Sequence, residues 1–185
     1  MDSKNHLEFT YDWFSQNVHA WPEQLSSFKG RPDVQYLEIG TFEGRSLLWM
    51  FENILTNPSS QATCIDLFVH ESKATLLKNI FSMGTEERVQ VLEGTSRQHL
   101  RSLHLNFFDI IFIDGSHEFP NVAFDLFLAW DLLKTGGIFI IDDYEIHRSY
   151  PIDPDVKLAT DFFISSLKDE CSIILKNYQV FLQKK

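Results

Sequence analysis

A short glycine-containing stretch near the N-terminus constrains the fold of this chain more than any other feature. Residues 38–44 read Glu-Ile-Gly-Thr-Phe-Glu-Gly, with one apolar run before them at 34–37 and another after them at 47–51. This order predicts a strand, a glycine loop and a helix, a junction that points backbone N–H groups and a helix N-terminus at a ligand above the strand end. Gly40 and Gly44 let the chain turn sharply and let a ligand approach the backbone.

The spacing of these glycines differs from the dinucleotide-binding pattern G-x-G-x-x-G, because no glycine lies two residues after Gly40. The loop therefore lacks the pyrophosphate-binding signature of that class of enzymes. Glu38, two residues before the first glycine, suits a ligand that carries an amine rather than a phosphate. Many strand–turn–helix junctions use glycine without any ligand, and that structural alternative stays open at this point.

Length and composition fit a single α/β domain. The chain has 185 residues, 44% of them hydrophobic, and a formal net charge of −10. The acidic balance argues against nucleic acid, which needs a basic face, and against an anionic membrane surface. The first six residues are polar and lack the apolar segment of a signal peptide. Cys64 and Cys171 make no disulfide framework, so we expect two buried thiols in a cytoplasmic protein.

Strand and helix patterns alternate along the chain. Predicted strands cover residues 34–39, 62–66, 89–92, 108–113 and 138–141, and predicted helices cover 7–18, 44–55, 70–83, 96–103, 121–133 and 155–167. Two more strands, 172–175 and 179–182, are predicted to form a hairpin. The pattern predicts a doubly wound, mostly parallel seven-stranded α/β sheet with a C-terminal antiparallel hairpin, which is Rossmann-like. We divide the chain into a helical lead-in, 1–30, and a main domain, 31–185.

Acids follow every predicted parallel strand, where ligands bind in open α/β sheets. They are Glu38, Asp66, Glu93, Asp114 and the pair Asp142 and Asp143. Asp66 lies 22 residues after Gly44, close to the ~20 residues expected for an acid that binds ribose hydroxyls. Its alternative role is to stabilise a helix N-terminus. Ser46, in the first turn of the next helix, would bind a ligand carboxylate or simply cap the helix.

Three acids at the ends of the fourth and fifth strands indicate a metal site. Asp114, Asp142 and Asp143 would repel one another and raise each other's pKa if they lay together. A hard divalent cation removes that repulsion, and oxygen ligands suit Mg²⁺, or Mn²⁺ as its substitute. The alternative is that one or two of them, Asp143 first, are solvated loop acids.

Residues 36–144 resemble the class I S-adenosylmethionine-dependent methyltransferases, and most of all the metal-dependent small-molecule O-methyltransferases of the catechol and macrocin sugar types. Segments 38–46, 94–96, 113–117 and 141–144 look like the motifs of that family. The resemblance implies that 31–185 is the S-adenosylmethionine-binding domain and that Ser96 lies beside the adenine. The implied cofactor residues are Glu38, Gly40, Thr41, Gly44, Ser46, Asp66, Gly94, Thr95, Ser96 and Asp114.

The same resemblance implies a catalytic pair, His117 and Asp114. His117 lies three residues after Asp114, where the catechol type has a lysine base, and histidine is a competent base with an unperturbed pKa of about 6.5. At Asp143 the catechol type has Asn and the sugar type has Asp. In the implied reaction His117, or a water that it holds, takes a proton from a hydroxyl on the cation. The alternative is a histidine that only fixes the loop.

The acceptor is expected to be a small hydroxylated molecule, a sugar or a phenol. The residues that could bind it are Trp13, Trp21, Tyr144, His147, Arg148 and Tyr150. Because few residues are available to cover the site, a second copy of the chain could complete it as a homodimer. Two other classes stay open: a cofactor-binding module or subunit without chemistry, and a nicotinamide-dependent oxidoreductase.

Overall fold

The computed structural model describes residues 7–146 and 155–185, and within these ranges seven strands form one sheet. The strands are β1 (Gln35–Ile39), β2 (Gln61–Asp66), β3 (Val89–Glu93), β4 (Phe108–Ile113), β5 (Leu133–Ile141), β6 (Cys171–Lys176) and β7 (Val180–Lys184). The α-helices are α1 (Trp21–Gln24), α2 (Arg45–Asn53), α3 (Ser72–Met83), α4 (Ser96–His99), α5 (Phe119–Leu132) and α6 (Asp155–Leu167).

The sheet has the strand order β3-β2-β1-β4-β5-β7-β6. Strands β1 to β5 are parallel, and β7 lies antiparallel between β5 and β6. The order reverses between β1 and β4, and the pairing of Ile39 with Ile113 brings the carboxyl ends of these two strands together. Such a reversal opens a crevice in which ligands bind. The predicted fold class, a doubly wound sheet with a terminal antiparallel hairpin, is confirmed.

The central strands are apolar on both faces because each face packs against its own layer. In β4, Ile111 and Ile113 belong to a core cluster with α5 and α6, whereas Ile110 and Phe112 belong to a second cluster with α2, α3 and Trp21. Successive side chains of a strand point to opposite faces, so two layers require two apolar sets. This packing fixes the strand ends that form the site.

The predicted helix over residues 7–18 is wrong. Residues 7–17 form no helix, and only a 3₁₀ turn, Val18–Ala20, and the one-turn helix α1 follow. The backbone N–H of Glu8 donates to Asn79 (2.8 Å) and that of Thr10 to Glu43 (2.5 Å). Donors that bond to distant side chains are not available to a helix ladder. The segment instead attaches to the glycine loop.

Other predicted elements differ in their bounds. Strand β5 begins at Leu133 rather than at residue 138, and α5 begins earlier than predicted because Pro120 suits its first turn. The predicted helix 96–103 is one α-helical turn followed by a 3₁₀ turn, Leu100–Ser102. The sequence also predicts that Asp153 caps the helix at 155–167 and that Pro154 begins it, but both residues lie outside the described residues.

Both cysteines, Cys64 and Cys171, are free and buried, as predicted. Trp21, inside the predicted lead-in, is fully buried in the same core cluster as β1 and α2. Of the helices that the structure describes, none combines the length and the apolar character needed to cross a membrane.

Candidate functional site

A cavity of about 1120 Å³ lies beyond the carboxyl ends of β1 to β5. Most of the predicted site residues line it: Gly40, Asp66, Gly94, Thr95, Ser96, Asp114, His117, Asp142 and Asp143. Four others do not line it: Glu38, Thr41, Gly44 and Ser46. A site for one small molecule usually occupies ~300–1,000 Å³, so this volume has room for two ligands side by side.

Gly40 allows the ends of β1 and β4 to approach each other. Its φ is +89°, and a Cβ added there would lie 1.8 Å from the carbonyl oxygen of Asp114. The backbone N–H of Asp114 donates to the Ile39 carbonyl at 2.8 Å, and that of Gly40 donates to Ile65 at 2.9 Å. Any side chain at this position would push β4 away from β1. The glycine therefore sets the floor of the cavity.

Glu38 lies beneath the glycine loop in a closed hydrogen-bond network. Its carboxylate accepts from the hydroxyls of Tyr36 (2.7 Å) and Ser46 (2.5 Å), and it is fully buried. Burial raises the pKa of Glu38 to about 7, although these hydrogen bonds oppose the rise. In this structure the Ser46 hydroxyl donates to Glu38 and does not point out of the N-terminus of α2. The predicted roles of both side chains in ligand binding stay predictions.

Asp66 joins the two loops that border the cavity above β1 and β2. Its Oδ2 accepts from the backbone N–H of Phe42 and its Oδ1 from that of Phe68, each at 2.7 Å. Each carboxylate oxygen has two lone pairs, so both retain capacity for a further donor such as a ribose hydroxyl. The two backbone bonds hold the carboxylate at the cavity wall.

Thr95, and not Ser96, caps α4. Thr95 accepts from the backbone N–H of Gln98, and the Gln98 side chain accepts from that of Thr95, which forms a capping box. The Ser96 hydroxyl instead donates to Asp125, a buried acid on α5. Burial raises the pKa of Asp125 to about 6 against the effect of this hydrogen bond. The sequence reasoning missed Asp125, although its place beside the buried Leu126 was a usable signal.

Asp114, which is half-buried, and Asp142, which is buried, form a pair of like-charged groups in the cavity wall. Burial raises the pKa of Asp114 well above its usual range, and the charges of Asp142 and Asp143 raise it further. Burial and then Asp143 raise the pKa of Asp142 to about 7. These are the interactions expected of carboxylates that share a site. No group of three metal-binding side chains is arranged as a metal site within residues 7–146 and 155–185.

Asp143 is held between two donors from different parts of the chain. Its Oδ2 lies 3.0 Å from Nε2 of His117, and its Oδ1 accepts from the Tyr178 hydroxyl at 2.5 Å. Its φ is +58°, a left-handed conformation that Asp tolerates. Burial and this hydrogen bond raise the pKa of Tyr178.

Tyr178 was missed from the sequence because it lies in a hairpin turn without glycine. The Asn177 side chain accepts from the backbone N–H of Gln179 at 3.0 Å, which supports the turn in place of glycine. The carbonyl of Tyr178 accepts from the backbone N–H of Tyr144 at 2.9 Å, so the turn lies against the loop after β5. The terminal hairpin therefore contributes a side chain to the site.

The aromatic residues considered for the acceptor divide into two groups. Trp13 is 61% exposed and lines the cavity, with its ring 5.4 Å from that of Phe42. Trp21 and Tyr144 are buried and do not line it; Trp21 packs in the core, and the Tyr144 hydroxyl donates to Asp161. The three remaining candidates, His147, Arg148 and Tyr150, lie outside the described residues.

Comparison with known proteins identifies the family. Residues 37–144, more than half of the chain, match the family model described as "Methyltransferase domain". The chain belongs to this methyltransferase domain family. A relative in Acanthamoeba polyphaga mimivirus, an uncharacterized protein, is 30% identical over 142 residues, which are 70% of this chain and 60% of that protein. A catechol O-methyltransferase of Mycobacterium tuberculosis is 28% identical over 109 residues, 58% of this chain and 46% of that enzyme.

Solved methyltransferase structures share the fold. An O-methyltransferase from Bacillus cereus, in complex with S-adenosylhomocysteine, aligns with a TM-score of 0.73 at 19% identity over 96% of this chain and 84% of that one. The O-methyltransferase TomG from Streptomyces achromogenes, in complex with S-adenosylmethionine, aligns with a TM-score of 0.66 at 18% identity over 82% and 73%. The chain spans less than two thirds of the length of the two curated relatives named above. The resemblance predicted from the motifs is confirmed for family and fold.

Proposed function

We propose that this methyltransferase domain transfers a methyl group from S-adenosylmethionine to a hydroxyl of a small sugar or phenol. The observation that carries the proposal is one cavity with two chemically different sides. Asp66 and Ser96 line it above β2 and β3, whereas Asp114 and His117 line it beyond β4. Two of the structural neighbours were solved with S-adenosylmethionine or its demethylated product, which supports the choice of cofactor.

The cofactor is proposed to lie across the ends of β1, β2 and β3. Asp66 would accept from the two ribose hydroxyls, because its carboxylate is already fixed by two backbone N–H groups and retains acceptor capacity. Gly40, which lines the cavity, would border the methionine end. Gly94, Thr95 and Ser96 would border the adenine, as predicted.

The acceptor is proposed to lie beside His117, which takes the proton of the reacting hydroxyl. The bond between the acceptor oxygen and the methyl carbon forms as the bond from carbon to sulfur breaks. Asp143 would hold the imidazole in place through Nε2. Holding both reactants in line within one cavity is worth up to ~7–11 kcal/mol of the barrier.

A divalent cation is part of the proposal, with Asp114, Asp142 and Asp143 as the residues that would hold it. The donor set fits Mg²⁺ in its chemistry, because it consists of carboxylate oxygens, and burial followed by repulsion from neighbouring carboxylates raises the pKa of Asp114 and Asp142. When bound, the cation supplies Lewis acidity that favours loss of the acceptor's proton. Asp143 would bind the cation either alongside its hydrogen bonds to His117 and Tyr178 or in exchange for them.

The proposed partners, oligomeric state and location are those expected from the sequence. A net charge of −10 disfavours nucleic acid and membrane surfaces as partners. The exposed apolar side chains of Trp13, Leu67 and Val69 lie at the cavity, and a second copy of the chain in a homodimer would cover them. Two buried free thiols fit a cytoplasmic location.

The test is transfer of labelled methyl from S-adenosylmethionine to a panel of catechols, simple phenols and glycosides, with and without Mg²⁺. The proposal expects label in at least one hydroxylated acceptor and none in matched amines or thiols. Binding of the cofactor without transfer to any acceptor would favour the module without chemistry. Binding of NADH in place of the cofactor would favour the oxidoreductase. Light scattering of the same protein separates a monomer from the homodimer.

A further inference from the structure

Asp125 is a buried acid in the cavity wall that the proposed reaction does not use. It lies in the second turn of α5, is only 3% exposed and lines the cavity near Ser96. The Ser96 hydroxyl donates to its Oδ1. Among the residues that the structure describes, its Oδ2 has no hydrogen-bond partner. Oδ2 is not among the fully buried side-chain atoms that lack a partner, so it is accessible from the cavity and has the capacity to accept from a ligand.

Gly115 leaves open space in front of this oxygen. A Cβ added to Gly115 would lie 3.6 Å from Oδ2 of Asp125 and 3.3 Å from Cγ2 of Ile39. Gly115 lines the same cavity. A side chain here would separate Asp125 from the open volume, whereas glycine lets the carboxylate face it.

The surrounding wall suits a flat, nitrogen-rich ring. The Arg97 guanidinium lies 3.6 Å from the centroid of the Phe124 ring, and both residues line the cavity. Planar groups of this kind provide surfaces on which bases stack. With the pKa of Asp125 raised to about 6 by burial, its carboxyl is ionised at pH 8 and then only accepts hydrogen bonds.

We propose that Asp125 recognises the adenine of S-adenosylmethionine by accepting a hydrogen bond from the exocyclic amine. The proposal rests on the proposed function, since it assigns a further residue to the same cofactor. It also gives the cavity a means of selecting between purines. A purine with an oxo group at that position would present an acceptor to an acceptor, which a buried site rejects strongly.

The experiment compares two ligands, S-adenosylhomocysteine and S-inosylhomocysteine, in which an oxo group replaces the amine. Calorimetry at pH 8 would use the wild type, Asp125→Asn and, as a matched control on the same helix, Asp131→Asn. Asp131 is exposed and does not line the cavity. We expect the wild type and the control to prefer the adenosine ligand at least tenfold. In Asp125→Asn the preference should fall below threefold, because an amide can either donate or accept.

The outcomes separate this inference from the proposed function. If Asp125→Asn keeps the wild-type preference, or loses both ligands equally, the assignment of Asp125 is wrong and the cofactor site stands. If the wild type binds neither ligand, the proposed function itself fails. The ratio of two affinities in one variant is insensitive to partial loss of folded protein, so a destabilised variant still gives a decisive result.

Discussion

Two groups of buried or half-buried acids lie at the carboxyl edge of the sheet and differ in what surrounds them. Glu38, on β1, accepts from two hydroxyl donors, Tyr36 and Ser46. Beyond β4 and β5, Asp114 and Asp142 face each other's charge, and Asp142 accepts from the backbone N–H of Asp143 at 2.8 Å. Burial raises the pKa values in both groups. Like charge is the next largest cause of the rise only in the second group.

The difference shows what each group can do. The Glu38 network is complete within the protein and requires nothing from outside, so it serves to fix the glycine loop on α2. The second group is incomplete without a proton, a cation or a substrate, because clustered carboxylates repel. Perturbed acids in a cavity of this kind are candidates for function.

The largest effect is expected at His117. His117→Ala should lower kcat by ~10²–10⁴, the range for loss of a general base, and should leave cofactor affinity nearly unchanged. The loss should shrink at high pH, where the acceptor hydroxyl ionises unaided. Steady-state methyl transfer to the best acceptor of the panel measures both. His104→Ala, outside the cavity, is the control, and a wild-type kcat in His117→Ala at neutral pH would leave His117 only a structural role.

The raised pKa of Glu38 predicts that the free energy of unfolding depends on pH. The pKa of Glu38 rises from 4.5 to about 7 on folding, so between these values the folded state binds the extra proton. The free energy of unfolding should therefore fall as pH rises through this window, by about 3 kcal/mol for this group. Glu38→Gln should remove that part of the slope. Urea unfolding at pH 5 and pH 8 measures this slope. If the wild type and Glu38→Gln lose the same free energy of unfolding between the two pH values, the assignment is contradicted.

The acid pair predicts stabilisation by a divalent cation. At 100 times its Kd, Mg²⁺ should stabilise the protein by about 2.7 kcal/mol, visible as a rise in Tm. Asp142→Asn should abolish the rise, whereas Glu38→Gln should keep it, because only the second group would hold the cation. Thermal melts with and without Mg²⁺ decide this. A rise of the same size in Asp142→Asn, or full turnover in a strong chelator, would remove the cation from the account.

A smaller effect is expected at Tyr178. Tyr178→Phe removes the hydroxyl that donates to Asp143 and should lower kcat about tenfold, or 1.4 kcal/mol, with little change in cofactor affinity. Tyr144→Phe is the matched control, since its hydroxyl donates to Asp161 and Tyr144 does not line the cavity. Equal effects in the two variants would show that a general loss of stability, and not the site, is being measured.

Some of the site could be read from the sequence because it follows directly from strand ends. The continuous apolar runs fixed β4 at 108–113, and Asp66 and Asp114 had to follow strands whose ends meet at one edge. The order of the strands then follows from a resemblance in motifs. These inferences need only local pattern and one topological rule.

The remainder depended on contacts between distant parts of the chain. Asp143 and Tyr178 are 35 residues apart and meet only because β7 returns between β5 and β6. The apolar spacing of residues 7–18 suggested a helix, but long-range bonds to Glu43 and Asn79 direct that segment otherwise. Local periodicity carries no information about such partners.

The central claim is that the cavity binds S-adenosylmethionine at the ends of β1 and β2, and calorimetric titration of the cofactor tests it most directly. The wild type should bind one cofactor per chain, and Asp66→Ala should bind it more than tenfold more weakly, by at least about 1.4 kcal/mol, because two ribose hydroxyls lose their acceptor. A thermal melt of the variant checks that it is folded. No binding by the wild type, or the same affinity in Asp66→Ala, would contradict the account.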